Sequence, residues 1–158
     1  MLANSLIISR LIYVIQLWGG TSEFLLNILQ VIQNSAARTV TRRGWFTPQL
    51  ILLRETGWLS VRQLAAYHNM VMVFKMKNTG KPVCFQEIVK KPFPYETRQA
   101  TGNGIVENQC ISRDITKKAF VNKSTKMWNS LPPQICQESS SNKFKSKVKI
   151  WIRENHPM

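Results

Sequence analysis

The stretch Ser60–Gly80, SVRQLAAYHNMVMVFKMKNTG, is the clearest helix signal in the chain, and the rest of the predicted fold is built around it. Ser60 and Gln63 have the spacing of a capping box, in which the two side chains satisfy the first free backbone amides of a helix. Apolar residues then follow along its length, and Asn78-Thr79-Gly80 supply the stop signal. We therefore predict a long helix that begins at Ser60 and ends near Gly80.

Shorter helices are predicted upstream of Ser60. The segment from Leu6 to Trp18 is apolar on nearly every side, which is typical of a helix that is buried all round. Its β-branched residues also permit a strand, but its length favours a helix. Thr21-Ser22 can cap the next helix, and Thr47-Pro48 begin a short third helix that stops at Gly57. One apolar stripe at helical spacing marks the second of these helices: Leu25, Ile28, Leu29, Ile32 and Ala36.

The second half of the chain has a different composition from the first half. Residues 81–123 are rich in proline, glycine and polar residues, and we interpret them as an extended, partly disordered basic connector with a short strand within Arg113–Val121. Residues 124–158 are predicted to form a turn anchored by Trp128 and then a basic helix. Lysines alternate with other residues in Lys143–Arg153, as in a strand, but lysine is depleted in strands. Helical spacing instead gathers Phe144, Val148, Trp151 and Ile152 on one stripe and leaves only Ile150 misplaced, so we choose the helix.

The predicted fold is therefore mainly α. It comprises a small helical bundle over residues 1–80, the connector over 81–123, and the Trp-anchored turn with its C-terminal basic helix over 124–158. The net charge is +14, from 22 basic and 8 acidic residues. Such a charge favours anionic partners, with nucleic acid first and an acidic membrane second.

Several classes of site are disfavoured by the same composition. The three cysteines are isolated, so clustered zinc ligands are not expected. An odd cysteine count with no framework indicates a reducing compartment, and we predict a nuclear or cytoplasmic protein. Tyr67 and His68 lie in the middle of the long helix, and we interpret them as packed or half-exposed side chains rather than catalytic ones. No cofactor and no specific small molecule is predicted.

Five short patterns, in order along the chain, resemble the post-palm thumb and tail of non-LTR (LINE-type) retrotransposon reverse transcriptases. These patterns are Ser5–Tyr13 with Trp18-Gly19; Leu29-Gln30 through Arg38; Gly57–Val61; Tyr95–Arg98; and Trp128–Pro132 followed by Phe144-Lys145. The resemblance implies thumb-like helices and a tail that grips a template–primer backbone, and it implies that the chain begins just after the palm domain.

The resemblance does not imply that this chain has the catalytic activity of the family. Polymerases of this kind hold two divalent ions with paired palm aspartates. Here Asp114 is the only aspartate, and none of the eight acidic residues forms an adjacent pair. We therefore predict that the chain is not an enzyme and holds no metal.

The predicted function is that of a non-catalytic remnant of such an enzyme, which binds RNA or DNA through phosphates. Binding would be tolerant of sequence, since phosphates carry no base identity. The predicted phosphate contacts are Arg38, Arg42, Arg43, Lys117, Lys118, Lys143, Lys145, Lys147 and Lys149. Trp45, Phe46 and Trp128 are candidate stacking rings, although core packing is favoured for Trp128. The predicted structural anchors are Trp58, Trp128, Leu131, Pro132 and Phe144.

A second hypothesis is a helical interaction or structural fragment with no nucleic-acid role, or a non-functional relic. In this case a palm domain or another polypeptide would cover the helix at residues 6–18, and the basic residues would only keep the chain soluble. Membrane binding through the tail helix is a weaker third hypothesis. Salt dependence separates the first two, because binding through many lysines weakens steeply as salt rises.

Overall fold

The computed structural model describes residues 4–13, 15–80 and 120–155, and every regular element in those ranges is a helix. The prediction of a mainly helical fold is therefore confirmed. A π-helical turn over Asn4–Ile8 comes first. The α-helices follow in this order: α1 (Ser9–Ile12), α2 (Ile15–Trp18), α3 (Glu23–Thr41), α4 (Gln49–Thr56), α5 (Val61–Thr79), α6 (Phe120–Asn129), α7 (Pro133–Cys136) and α8 (Ser141–Asn155).

Helix α5 lies at the centre of the bundle, and its ends are those that the sequence predicts. The hydroxyl of Ser60 accepts a hydrogen bond from the backbone N–H of Gln63 at 3.2 Å, and the Gln63 side chain accepts one from the Ser60 N–H at 3.1 Å. Gly80 closes the helix with a left-handed φ of 65°, a conformation that glycine adopts without steric cost. Helices α1, α2, α3, α6 and α8 all pack against α5.

The main hydrophobic core joins the C-terminal half of α5 to the end of the chain. The rings of Phe74 on α5 and Phe144 on α8 stack with their centroids 4.0 Å apart. Trp128 lies 5.8 Å from Phe144, and both side chains are fully buried. Val148 and Ile152 extend the same buried stripe along α8. The choice of a helix over a strand for the tail is confirmed, because α8 is helical from Ser141 to Asn155. Ile150, which a strand would place on the same side as Phe144 and Val148, is 57% exposed.

Trp128 lies at the end of a helix and at the start of the turn that follows it. It lies in the last turn of α6, which runs from Phe120 to Asn129 and buries Ser124, Thr125 and Met127 together with the indole. The predicted turn follows directly after Trp128, where the Leu131 N–H donates to the Trp128 carbonyl at 3.1 Å, whereas the helix that precedes this turn was not predicted. In the range where a short strand was predicted, residues 120 and 121 are helical and the others lie outside the described residues.

The three-segment division of the chain stays a prediction. Its second boundary falls inside α6, while residues 81–119, which make up most of the predicted connector, lie outside the described residues. Among the anchors, Leu131 is buried and Pro132 is half-buried just before α7, where Pro133 occupies the first helical position.

The single helix predicted over residues 6–18 is broken, and this expectation was wrong. Tyr13 has an extended ψ of 116° and separates α1 from α2. Its carbonyl accepts a hydrogen bond from the indole N–H of Trp18 at 2.9 Å, which stabilises the break. Leu6 and Tyr13 are also 66% and 76% exposed, so the segment is not buried on all sides.

The predicted apolar stripe of α3 does not face the core. Helix α3 instead buries Leu26, Ala37 and two glutamines, while Ile28 and Ile32 are exposed. The Gln33 side chain donates to the Leu59 carbonyl at 2.8 Å, and the side-chain oxygen of Gln30 accepts from the Val61 N–H at 2.8 Å. Because these bonds satisfy backbone groups at the start of α5, they fix the rotation of α3 about its own axis.

Candidate nucleic-acid interface

Helix α8 presents basic residues on both sides of its buried stripe. Phe144, Val148 and Ile152 have no exposed surface, and the lysines occupy the flanks. Lys145, Lys149 and Arg153 recur every four residues along one flank, where side chains stand above one another on the helix surface. Lys143 and Lys147 form the corresponding pair on the other flank. Lys143, Lys147, Lys149 and Arg153 are exposed, and Lys145 is half-buried. The arrangement predicted for the tail is thus present in the structure.

The cations of α8 are not equally available to a ligand. Lys147 forms an ion pair with Glu138, and the hydrogen bond from Lys147 lowers the pKa of this carboxyl group. A guanidinium nitrogen of Arg153 donates to the Gly57 carbonyl at 2.9 Å, which ties the end of α8 to the end of α4. A phosphate would therefore have to compete with Glu138 for Lys147. Among the described residues, no carboxylate pairs with Lys149, which lines a cleft together with Trp58.

The three predicted arginines at the end of α3 also differ from one another. Arg43 makes a two-point ion pair with Glu55, with its Nη2 atom 2.5 Å from Oε1 and its Nε atom 3.2 Å from Oε2. These hydrogen bonds raise the pKa of Arg43 and lower the pKa of Glu55. Arg42 is exposed and caps α3 with a left-handed φ of 54°. Arg38 is half-buried, with its guanidinium 5.0 Å from the centroid of the Trp45 ring.

Two of the three candidate stacking rings are exposed, and the third is not. Trp45 and Phe46, in the turn between α3 and α4, are 69% and 97% exposed. Trp128 is fully buried between α5 and α8, so it cannot stack on a base and the core-packing interpretation is confirmed. Trp45 lies beside the guanidinium of Arg38, and Arg42 is close to both rings in sequence. Aromatic rings next to arginines are the combination that binds single strands through base faces and phosphates together.

The structure adds Arg54 and Arg153 to the residues that the sequence pointed to. Both line a cleft of about 310 Å³ beside Trp58, and Lys149 lines a second cleft, of about 480 Å³, that Trp58 also borders. Trp58, which was predicted as a structural anchor, is half-buried between these clefts. The four-residue spacing from Lys145 and Lys149 could have pointed to Arg153, whereas Arg54 carries no comparable signal because its neighbours in space are distant in sequence. The predicted contacts Lys117 and Lys118 lie outside the described residues.

Two titratable side chains in the middle of α5 and the Cys136 thiol on α7 are packed against their neighbours. Tyr67 and His68 are half-buried and pack edge to face, with ring centroids 5.1 Å apart. Burial, and to a lesser extent the charge of Lys75, lowers the pKa of His68. Burial also raises the pKa of the Cys136 thiol to about 11, so this cysteine is unreactive near neutral pH. No cluster of three metal-ligating side chains is found among the described residues.

Comparison of the chain with protein-family models, curated proteins and solved structures finds no match. The resemblance to reverse-transcriptase thumbs and tails therefore stays a prediction that rests on the short sequence patterns. No helix within residues 4–13, 15–80 and 120–155 is both long enough and apolar enough to cross a membrane.

Proposed function

We propose that this chain binds RNA or DNA through the phosphate backbone, with little preference for base sequence and without catalysing a reaction. The observation that carries the proposal is the geometry of α8. Its three apolar side chains, Phe144, Val148 and Ile152, are fully buried against the bundle. Lysines on both flanks are thereby held on a fixed helix surface instead of a free tail, and less side-chain and backbone freedom is lost on binding.

Charge and exposed rings support the same proposal. Residues 75–158 contain sixteen basic and six acidic residues, a difference of 16 − 6 = +10. Trp45 and Phe46 offer two ring faces, with Arg38 beside Trp45, and each stacked base would contribute about 1–3 kcal/mol. Because neither feature reads base edges, we expect similar affinity for unrelated sequences.

The wider biological context follows from the sequence patterns and is proposed on that basis. The chain would be the non-catalytic thumb and tail portion of a retrotransposon reverse transcriptase, acting where nucleic acid is present, in the nucleus or the cytoplasm. Its thumb-like helices would lie beside the template–primer backbone.

The proposal is tested by fluorescence anisotropy with labelled single-stranded RNA, single-stranded DNA and duplex DNA, titrated at several salt concentrations. We expect binding to all three ligands, and log affinity should fall linearly with log salt by about 0.9 per phosphate contacted on duplex DNA. Replacing Lys143 and Lys149 with alanine should flatten the duplex slope by up to about 1.8 if both touch phosphates.

The matched control replaces Lys75 on α5 and Lys126 on α6, both exposed, and removes the same charge from other helices. It should change the slope much less than the α8 pair. Equal losses in the two variants would mean that only net charge matters, and the absence of measurable binding at low salt would reject the proposed function.

A further inference from the structure

The outward side of α3 exposes a group of large apolar side chains. It comprises five large side chains whose exposed fractions lie between 42% and 71%: Phe24, Leu25, Ile28, Val31 and Ile32. We call this surface the α3 face. No ionisable residue interrupts it, because the sequence has none between Glu23 and Arg38.

The exposure of the α3 face is a consequence of how α3 is held. Gln33 donates to the carbonyl of Leu59, Gln30 accepts from the N–H of Val61, and the two glutamine side chains hydrogen-bond to each other at 2.8 Å. Rotating α3 to bury its isoleucines would break the two bonds to Leu59 and Val61 and leave these backbone groups unsatisfied. The glutamines therefore hold the apolar side outward.

The area of the α3 face is comparable with what a stable interface needs. A large apolar side chain has about 200 Å² of surface, so the exposed fractions correspond to about 540 Å². The largest apolar patch on an ordinary monomer is about 300–600 Å². Two such faces together would bury about 1,080 Å², which is just above the roughly 1,000 Å² that a biological interface should exceed.

We propose that the α3 face is the contact between two copies of this chain, which pair antiparallel about a twofold axis close to Ile28. In this arrangement Ile28 faces Ile28 of the partner subunit, and Phe24 faces Ile32 of the partner subunit. Such pairing is self-complementary, as an isologous dimer requires, and it matches large apolar side chains along the whole face without bringing a charge into the contact.

Electrostatics selects the antiparallel direction. Each copy carries a net charge of +14, and Arg38, Arg42 and Arg43 are concentrated at the C-terminal end of α3. Parallel pairing would bring these clusters together, whereas antiparallel pairing places them at opposite ends of a helix that is about 28 Å long. This separation exceeds the Debye length of about 8 Å at physiological salt.

Salt therefore acts on the two proposed activities in opposite directions. Because screening weakens the repulsion between two highly positive copies, added salt should strengthen the dimer, while it weakens nucleic-acid binding. The dimer proposal is independent of the proposed function, since none of the proposed phosphate contacts lies on the α3 face.

The test is sedimentation equilibrium of the full, nuclease-treated chain with charge substitutions at the twofold axis. The wild-type chain should dimerise reversibly. Ile28→Lys alone and Ile28→Glu alone should each weaken dimerisation by at least about tenfold, because like charges would meet at the axis. An equimolar mixture of the two variants should regain dimerisation as a mixed pair. The control substitutions Ile150→Lys and Ile150→Glu, at an isoleucine of α8 that is 57% exposed, should leave dimerisation unchanged.

Folding of each variant is checked by circular dichroism and thermal unfolding. If an Ile28 variant fails to fold, a double variant that carries both Phe24→Lys and Ile32→Glu replaces it. Each lysine would then face a glutamate of the partner subunit, so dimerisation should persist. A wild-type chain that stays monomeric at its highest soluble concentration overturns the proposal. An Ile28→Lys variant that dimerises like the wild type, or a mixture that fails to regain dimerisation, does the same.

Discussion

Replacing Phe144 with alanine tests whether the docked position of α8 stabilises the whole bundle. The Phe144 ring is fully buried, stacks on Phe74 at 4.0 Å and lies 5.8 Å from Trp128. Truncating such a phenylalanine removes its buried surface and leaves a cavity, at a cost of about 3–5 kcal/mol. Small domains have about 5–15 kcal/mol of stability in total, so this single change should remove a large part of it.

Urea denaturation followed by tryptophan fluorescence measures the effect. The midpoint should fall markedly for Phe144→Ala, while Ile150→Ala, on the exposed side of the same helix, should stay within about 0.5 kcal/mol of the wild type. A double-mutant cycle with Phe74→Ala isolates the contact between the two rings, for which we expect a coupling of about 0.5–1.5 kcal/mol. A loss below about 1 kcal/mol for Phe144→Ala would show that α8 is not docked as described, and the argument for an ordered lysine surface would fail with it.

Two further predictions concern α3 and the turn that follows it. Replacing Gln33 with leucine should destabilise the chain by about 1–3 kcal/mol in urea denaturation, because the Leu59 carbonyl would lose its hydrogen-bond partner. The control Gln134→Leu, at an exposed position of α7, should have little effect. A stabilised Gln33→Leu variant would contradict the role given to this glutamine. Replacing Phe46 with alanine should weaken binding to single-stranded DNA by about 1–3 kcal/mol in anisotropy titrations and leave duplex binding nearly unchanged. Equal losses of binding free energy on both ligands would argue against stacking.

Local signals in the sequence were enough for α5 and α8. Ser60 and Gln63 are three residues apart, so the capping box that they form needs no knowledge of the rest of the fold. The stripe of Phe144, Val148 and Ile152 likewise follows from spacing alone. Features of this kind depend on neighbours within one or two helical turns, which is the range that sequence patterns report.

The orientation of α3 could not be predicted in this way. It depends on Gln33 reaching a carbonyl 26 residues away and on Gln30 reaching an amide 31 residues away. Apolar periodicity gives the side of a helix that would prefer burial, but these long-range hydrogen bonds selected the opposite side. Tertiary structure also decides which cations are free to bind a phosphate. Glu55 pairs with Arg43 and Glu138 pairs with Lys147, and each acid comes from a different segment than its partner.

The packing of α8 against α5 has a consequence for the order in which the chain is synthesised. The C-terminal half of α5 ends at Thr79, but the ring that covers Phe74 belongs to Phe144, which is 144 − 79 = 65 residues further on. A ribosome that adds about 5–20 residues per second needs roughly 3–13 seconds to reach it. During that interval Phe74 lacks the ring that covers it, and the C-terminal half of α5 gains only α6 before α8 is made. Nascent chains should therefore recruit holding chaperones, and a ribosome that stalls before Phe144 should release an aggregation-prone product.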